Sequence, residues 1–161
     1  MRIIAATSLI ALLTFSIWAQ KPAPKAAASS APTVKIVTAA DLAAIVAKQP
    51  ADKNGFQAFM DLAPYTVNME HRIAGQGAAV HEKEAEMFYV IDGAGTLVTG
   101  GKLVDEKRTN DANLSGTSIQ SGVSKKVNKG DWIIVPEGVP HQFPAVEKNL
   151  TLMSVHLPRT K

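Results

Sequence analysis

Two segments of this 161-residue chain place histidine and glutamate beside turn-forming glycines and a proline. They read His81-x4-Glu86-x6-Gly93 and Gly130-x5-Pro136-x-Gly138-x2-His141. Two imidazoles and one carboxylate form a ligand set that proteins use to bind a divalent metal. A small β-barrel can bring such ligands together from distant points in the chain. The sequence therefore predicts one metal site formed by His81, Glu86 and His141.

The ligand types only partly determine which metal would bind. Two neutral imidazoles and one carboxylate are typical of Fe(II) sites with open positions, but Mn, Ni, Zn or Cu suits the same set. There is also an interpretation without metal. His81 would then be a solvated loop histidine beside the charged run 82–84, and His141 a turn histidine after Pro140. The occurrence of both segments in one chain favours the metal site over these separate interpretations.

Two further histidines could join this site. His71 alternates with Val67 and Met69 along a strand-like run, so we expect it on an apolar face that points into the barrel. His156 lies near the end of the last predicted strand. Each is explained as a packed or hydrogen-bonded histidine, and His71 is the better candidate ligand because an interior imidazole needs a polar partner.

Composition argues for one folded domain and against several functional classes. Apolar residues make up 46% of the chain, and the formal net charge is +3. No block of lysine and arginine alternates with aromatic residues, so nucleic-acid binding has no support. The chain has no cysteine, which excludes disulfides and thiolate ligands.

The N-terminus resembles an export signal. Arg2 precedes the apolar run Ile3–Trp18, which gives way to Ala19 and then to polar residues. At 16 residues this run is short for a membrane span. We expect a signal peptide over residues 1–19, cleavage after Ala19, and a secreted or periplasmic protein with no membrane attachment after cleavage.

The remaining chain divides into a linker, a helical segment and a β domain. Residues 20–37 are rich in Lys, Pro, Ala and Ser, which predicts a disordered linker. A capping box at Thr38-x-x-Asp41 opens the predicted helical segment 38–54, whose apolar stripe comprises Leu42, Ile45 and Val46. After it, residues 55–161 show short strand patterns with frequent turn residues, which indicates an all-β barrel or jelly roll.

Two strand predictions depend on turn residues. Met87–Ile91 is followed by Asp92-Gly93-Ala94-Gly95, a pattern typical of a hairpin from which Thr96–Thr99 would pair back. Residues 105–118 are rich in Asp, Asn, Ser, Gly and Thr, which predicts a long surface excursion. The aromatic residues Phe88, Tyr89, Trp132 and Phe143 are expected in the core or in a cavity wall.

The two opening segments resemble the two signature motifs of the cupin superfamily. Gly130–His141 reproduces the glycine, proline, glycine and histidine spacing of the second motif. In the first motif, Glu86 and Gly93 match and His81 falls on the second of two histidines, while Ala79 occupies the position of the first. The resemblance covers roughly residues 56–157.

This resemblance implies a jelly-roll barrel with one divalent metal, held by His81, Glu86 and His141, and a small oxygen-bearing ligand. It also implies a metal-dependent activity, oxygenase- or isomerase-like, in a dry pocket lined by Met69, Tyr89 and Phe143. A non-catalytic ligand-binding cupin and a structural cupin without metal are the alternatives. Cupins commonly dimerise, and the helix at 39–48 could contribute to a homodimer.

Overall fold

One helix and eleven strands follow one another along residues 34–159, the part of the chain that this computed structural model describes. The expected signal peptide and most of the expected linker lie outside these residues. The elements are α1 (Ala39–Ala47), β1 (Gly55–Leu62), β2 (Tyr65–Arg72), β3 (Ala78–His81), β4 (Glu84–Thr99), β5 (Lys102–Val104), β6 (Lys107–Asn110), β7 (Asn113–Gly116), β8 (Ser118–Gln120), β9 (Val123–Asn128), β10 (Trp132–Val135) and β11 (His141–Pro158).

The helix α1 begins at the predicted capping box. The Thr38 hydroxyl accepts a hydrogen bond from the Asp41 amide at 3.2 Å, and the Asp41 carboxylate accepts one from the Thr38 amide at 3.1 Å. These bonds satisfy amides that would otherwise lack partners at the helix start. The helix ends at Ala47, and the three residues of its apolar stripe are half-buried. Within residues 34–159, no helix is long and apolar enough to cross a membrane.

Nearly all strand pairs belong to one antiparallel sheet that confirms the predicted all-β, cupin-type jelly roll. Its main path runs β1-β2-β11-β3-β7-β6, and β4 pairs with β9, β10 and β11. Strands β5 and β8 form a separate two-stranded ribbon. Strands β4 and β11 are the two longest, with 16 and 18 residues, and they pair along most of their length. Both strands therefore carry residues to more than one part of the barrel.

The predicted hairpin after Met87–Ile91 is wrong, because β4 continues through Gly93 to Thr99. Gly93 has a positive φ of 81°, and the pairing with β11 is irregular beside it. An irregularity of this kind bends a strand without ending it. The buried positions change from even numbers (Glu86, Phe88, Val90) to odd numbers (Gly95, Leu97) across this point. The bend thus keeps one face of β4 directed inward.

The predicted surface excursion over residues 105–118 does lie at the surface, but it forms paired strands. This segment contains β6 and β7, which pair with each other, and β7 pairs with β3. Its polar composition agrees with the exposure of β6 and the half-buried state of β7. As a result, Asn113 lies directly opposite His81 in the ladder.

Strand β2 buries its polar face, which lies opposite the face that carries His71. Asn68, Glu70 and Arg72 are 6–8% exposed, whereas His71 is only half-buried and lies on the other face. The prediction that His71 points into the barrel is therefore wrong. The hydrophobic core is instead formed by residues of β4, β9, β10 and β11: Phe88, Val90, Leu97, Val127, Val135, Phe143, Leu150 and Leu152.

Candidate functional site

The Glu86 side chain is the centre of the candidate site. Glu86 lies on β4 between two neighbouring strands, with Val135 of β10 on one side and His156 of β11 on the other. It is 5% exposed. A buried carboxylate needs partners to offset the loss of hydration.

Three imidazoles supply those partners. Glu86 Oε2 lies 3.0 Å from His141 Nε2 and 3.3 Å from His81 Nε2. Glu86 Oε1 lies 3.5 Å from His156 Nε2. The ligand atoms of His81, Glu86 and His156 all lie within 4.8 Å of one another. Thus the Nε2 atoms of three histidines approach a single carboxylate.

Strands β3 and β11 position the histidines. His141 begins β11 and His156 lies near its end, so the long bent strand brings both imidazoles to Glu86. His81 ends β3, where Ala79 lines the same cavity and lies opposite His141. The ring centroids of His81 and His156 are 4.5 Å apart, and those of His81 and His141 are 5.3 Å apart.

An oxygen atom lies close to the Nδ1 atom of each of these histidines. His81 Nδ1 is 2.8 Å from Asn113 Oδ1, and His141 Nδ1 is 3.1 Å from the Val139 carbonyl oxygen. His156 Nδ1 is 3.1 Å from Glu84 Oε2, although this ion pair is not aligned as a hydrogen bond.

When an oxygen acceptor takes the Nδ1 proton of a neutral imidazole, the lone pair is left on Nε2. Such outer contacts commonly orient the histidine ligands of metals. Glu84 contacts His156 although its side chain is 38% exposed, and Glu82 pairs at the surface with Arg108 at 2.7 Å.

The electrostatics of the site favour an ionised carboxylate. Burial opposes ionisation of Glu86, but hydrogen bonds from His141 and His81 outweigh it and lower the pKa of Glu86 to about 2. Burial likewise opposes protonation of His81. Hydrogen bonds to Glu86 and Asn113 outweigh that effect, so the pKa of His81 lies above its usual value of 6.5. Glu86 is therefore anionic at neutral pH, and His81 readily holds a proton.

These distances fit a metal-binding set. Nitrogen and oxygen ligands bind Zn²⁺ at about 2.0–2.2 Å, so atoms that share one such ion lie roughly 3–3.5 Å apart. The three contacts of Glu86 with His81, His141 and His156 fall in that range. The group whose ligand atoms all lie within 4.8 Å of one another comprises His81, Glu86 and His156, and His141 joins it through its contact with Glu86. All the donors are nitrogen or oxygen atoms, which suits Fe, Mn, Ni, Zn or Cu.

A cavity of about 320 Å³ opens onto the cluster. Its apolar wall includes Phe88 and Phe143, while Glu70 and Arg72 of β2 supply further charged groups. Among the expected lining residues only Phe143 is present. Met69 is fully buried on the other face of β2, and Tyr89 stacks on Trp132 at 4.6 Å. Trp132 is 61% exposed and lies in the wall of a different, open cavity of about 410 Å³ beside β9 and β10.

The structure brings together all three predicted ligand residues, His81, Glu86 and His141, and adds His156. Of the two further candidate histidines, it is His156 whose Nε2 atom faces Glu86. His71 stays apart, with its Nδ1 atom 2.9 Å from Thr151 Oγ1. The alternation of residues in β2 contains the signal for this position of His71. If the polar face of β2 points to the interior, His71 must lie on the opposite face.

Comparison with known proteins agrees with this architecture. Residues 65–158 match the protein family described as Cupin. No curated protein is significantly similar to the chain in sequence. The solved structure of BH2720 from Bacillus halodurans is similar with a TM-score of 0.53 and 15% identity, over 81% of this chain and 85% of that one.

The TT1209 protein of Thermus thermophilus is similar with a TM-score of 0.52 and 16% identity, over 73% of this chain and 95% of that one. At such identities these likenesses concern the fold alone. The family match spans more than half of the chain and covers both motifs and the whole His/Glu cluster. The chain belongs to the Cupin family.

Proposed function

We propose that this cupin binds one divalent metal ion through His81, Glu86, His141 and His156, and that a small oxygen-bearing molecule binds beside it. The contacts of one buried carboxylate with three Nε2 atoms carry this proposal. The Nδ1 atoms of His81 and His141 face oxygen acceptors, so the Nε2 lone pairs of these rings are available to an ion when the rings are neutral.

His156 accounts for the missing first-motif histidine. The position of that histidine is occupied by Ala79, which lines the cavity but offers no ligand atom. His156 approaches Glu86 from β11, adjacent to Glu86 in the ladder, and restores a set of three imidazoles and one carboxylate. A different strand thus supplies the imidazole in this chain.

The cavity supports chemistry on a bound molecule. When bound, a divalent ion acts as a Lewis acid or binds and activates oxygen. The chain's own residues hold the ligand atoms in place, and the aromatic wall of Phe88 and Phe143 limits access of water. The remaining titratable groups of the cavity wall are Glu70 and Arg72, which form an ion pair with each other. We therefore favour a metal-dependent oxygenase- or isomerase-like activity over a reaction that relies on a protein nucleophile.

Elemental analysis of protein purified without a histidine tag tests the proposal. We expect one equivalent of divalent metal per chain in the wild type. His141→Ala should lose the metal and keep the β circular-dichroism spectrum, because Phe88, Leu152 and the other core residues remain. His71→Ala is the matched control and should keep its metal, since His71 contacts Thr151 on the other face of β2.

Two results would contradict the proposal. One is wild-type protein that takes up no Fe, Mn, Ni, Zn or Cu after dialysis against each metal. The other is a His141→Ala protein that retains a full equivalent. Oxygen consumption or isomerisation assays with small carbonyl and hydroxyl compounds then separate an enzyme from a protein that only binds its ligand.

A further inference from the structure

A buried arginine faces the same cavity as the histidine cluster. Arg72 is the last residue of β2, and only 10% of its side chain is exposed. It lines the cavity together with His81, Glu86 and His141. An arginine is rarely buried to this extent unless its guanidinium is paired.

The pairing of this guanidinium is incomplete. Within residues 34–159 it donates one hydrogen bond, from Nη2 to Glu70 Oε2. Its carbon Cζ lies 4.7 Å from the centroid of the Phe143 ring, which adds a cation–π contact. The Nε atom is enclosed and has no hydrogen-bond partner among the described residues. Guanidinium groups have five N–H donors, so the described residues of the protein use only part of this donor capacity.

We propose that Arg72 is the binding group for a carboxylate on the small-molecule ligand of this cavity. A carboxylate offers two coplanar oxygen atoms that match the N–H groups along one edge of a guanidinium. Binding there would supply hydrogen bonds that the protein itself leaves unmade. The Phe143 ring contacts the guanidinium, which limits the orientations that Arg72 can adopt.

The charges in the cavity favour a carboxylate over a phosphate. Glu70 already neutralises part of the Arg72 charge, and the wall also includes the anionic Glu86. A dianionic phosphate would meet these two carboxylates, and Arg72 is the only arginine or lysine among the described residues of the wall. A monoanionic carboxylate on an apolar body fits better, because Phe88 and Phe143 form the apolar part of the wall.

Benzoate and benzamide are suitable probes because they share shape and apolar area but differ in charge. This proposal rests on the proposed function only because it places the ligand beside a metal. Binding is therefore measured by NMR titration, first on metal-free protein and again after Zn²⁺ loading. We expect benzoate to bind about tenfold or more tightly than benzamide in both forms. Inorganic phosphate should bind more weakly than benzoate.

The decisive comparison is between Glu70→Gln and the double variant Glu70→Gln/Arg72→Gln. In the single variant Arg72 keeps its charge and loses its internal competitor, so benzoate should bind at least as tightly as to wild type. The double variant leaves no unpaired buried charge and should bind benzoate about tenfold or more weakly, with its metal content unchanged. Circular dichroism checks that both variants are folded.

The proposal is overturned if benzoate and benzamide bind alike, if neither binds, or if the two variants bind benzoate equally. Tighter binding of phosphate than of benzoate would also overturn it. Failure of the wild type to bind metal, with Arg72-dependent benzoate binding retained, would refute the proposed metal and leave this inference standing. The reverse pattern would refute the carboxylate site alone.

Discussion

At the scale of single residues, Glu86 determines how the site behaves. Its carboxylate lies within 3.5 Å of the Nε2 atoms of His81, His141 and His156. The stability of this buried charge depends strongly on each of its three partners, because the loss of one leaves part of the desolvation cost uncompensated. The histidines and the carboxylate therefore act as one group.

Replacing His156 tests whether it is a ligand. We expect His156→Ala to weaken Zn²⁺ binding by about tenfold or more, because one of four ligand side chains is lost. His71→Ala should leave the affinity within about twofold of the wild type, since His71 makes a hydrogen bond to Thr151 and lies outside the cluster. The affinities are measured by competition with a chromophoric chelator. Equal affinities of the two variants would show that His156 is not a ligand.

The pH dependence of metal affinity reports on His81. The pKa of His81 in the folded chain is raised above 6.5. Metal binding requires His81 to lose its proton, so protons compete with the metal at pH values that extend above 6.5. Glu86, with a pKa of about 2, stays ionised throughout and contributes no such dependence near neutrality. We expect Zn²⁺ affinity to fall about tenfold per pH unit as pH drops below the raised pKa of His81.

The matched control for this titration is Asn113→Ala. The hydrogen bond with Asn113 helps to raise the pKa of His81, so its loss should shift the fall in affinity to lower pH. A wild-type affinity that does not change between about pH 6 and pH 8 would contradict the assignment.

At the scale of elements, β4 and β11 place the site. Two turn-like glycines made β4 look like a hairpin, yet Gly93 bends the strand and leaves the ladder with β11 intact on both sides. Local composition could not distinguish these outcomes, because a positive φ is compatible with either. Local composition likewise could not place His156, because the irregular register of β11 brings it beside Glu86.

Alanine substitutions at two glycines separate the cost of backbone strain from the cost of steric overlap at the bend in β4. Both Gly93 and Gly130 have positive φ, so each change should cost about 1–2 kcal/mol of unfolding free energy from backbone strain. A Cβ at Gly93 would also overlap the Asn149 carbonyl oxygen, whereas nothing lies within 4 Å of one at Gly130. We expect Gly93→Ala to be more destabilising by a further 1–3 kcal/mol or so in urea unfolding. Equal costs would show that β4 and β11 are not closely packed at this bend.

At the scale of the whole molecule, the all-β jelly roll and three of the four cluster residues could be predicted from the chain. The motif glycines, Pro136 and the histidine spacing carried that prediction. The interior face of β2 could not be predicted, because burial of Glu70 and Arg72 depends on their mutual pairing and on the cavity. A pattern of alternating polarity assigns such residues to solvent.

Export and dimerisation remain predictions at this scale. We expect the mature chain to begin at Gln20 after cleavage behind Ala19, which intact-mass measurement of exported protein will show. We also expect a homodimer in solution, since Trp132 and Ile134 expose 61% and 63% of their surface on β10. Light scattering measures this directly. An uncleaved mass or a monomer would contradict the respective prediction.

The central claim is that one ion binds among the histidines and Glu86. Anomalous X-ray diffraction from crystals soaked in Zn²⁺, recorded at the zinc absorption edge, tests it most directly. We predict one peak per chain, within about 2.0–2.2 Å of the Nε2 atoms of His81, His141 and His156 and of a Glu86 oxygen. A fully soaked crystal with no peak among these four side chains, or with peaks only at surface residues, would contradict the claim.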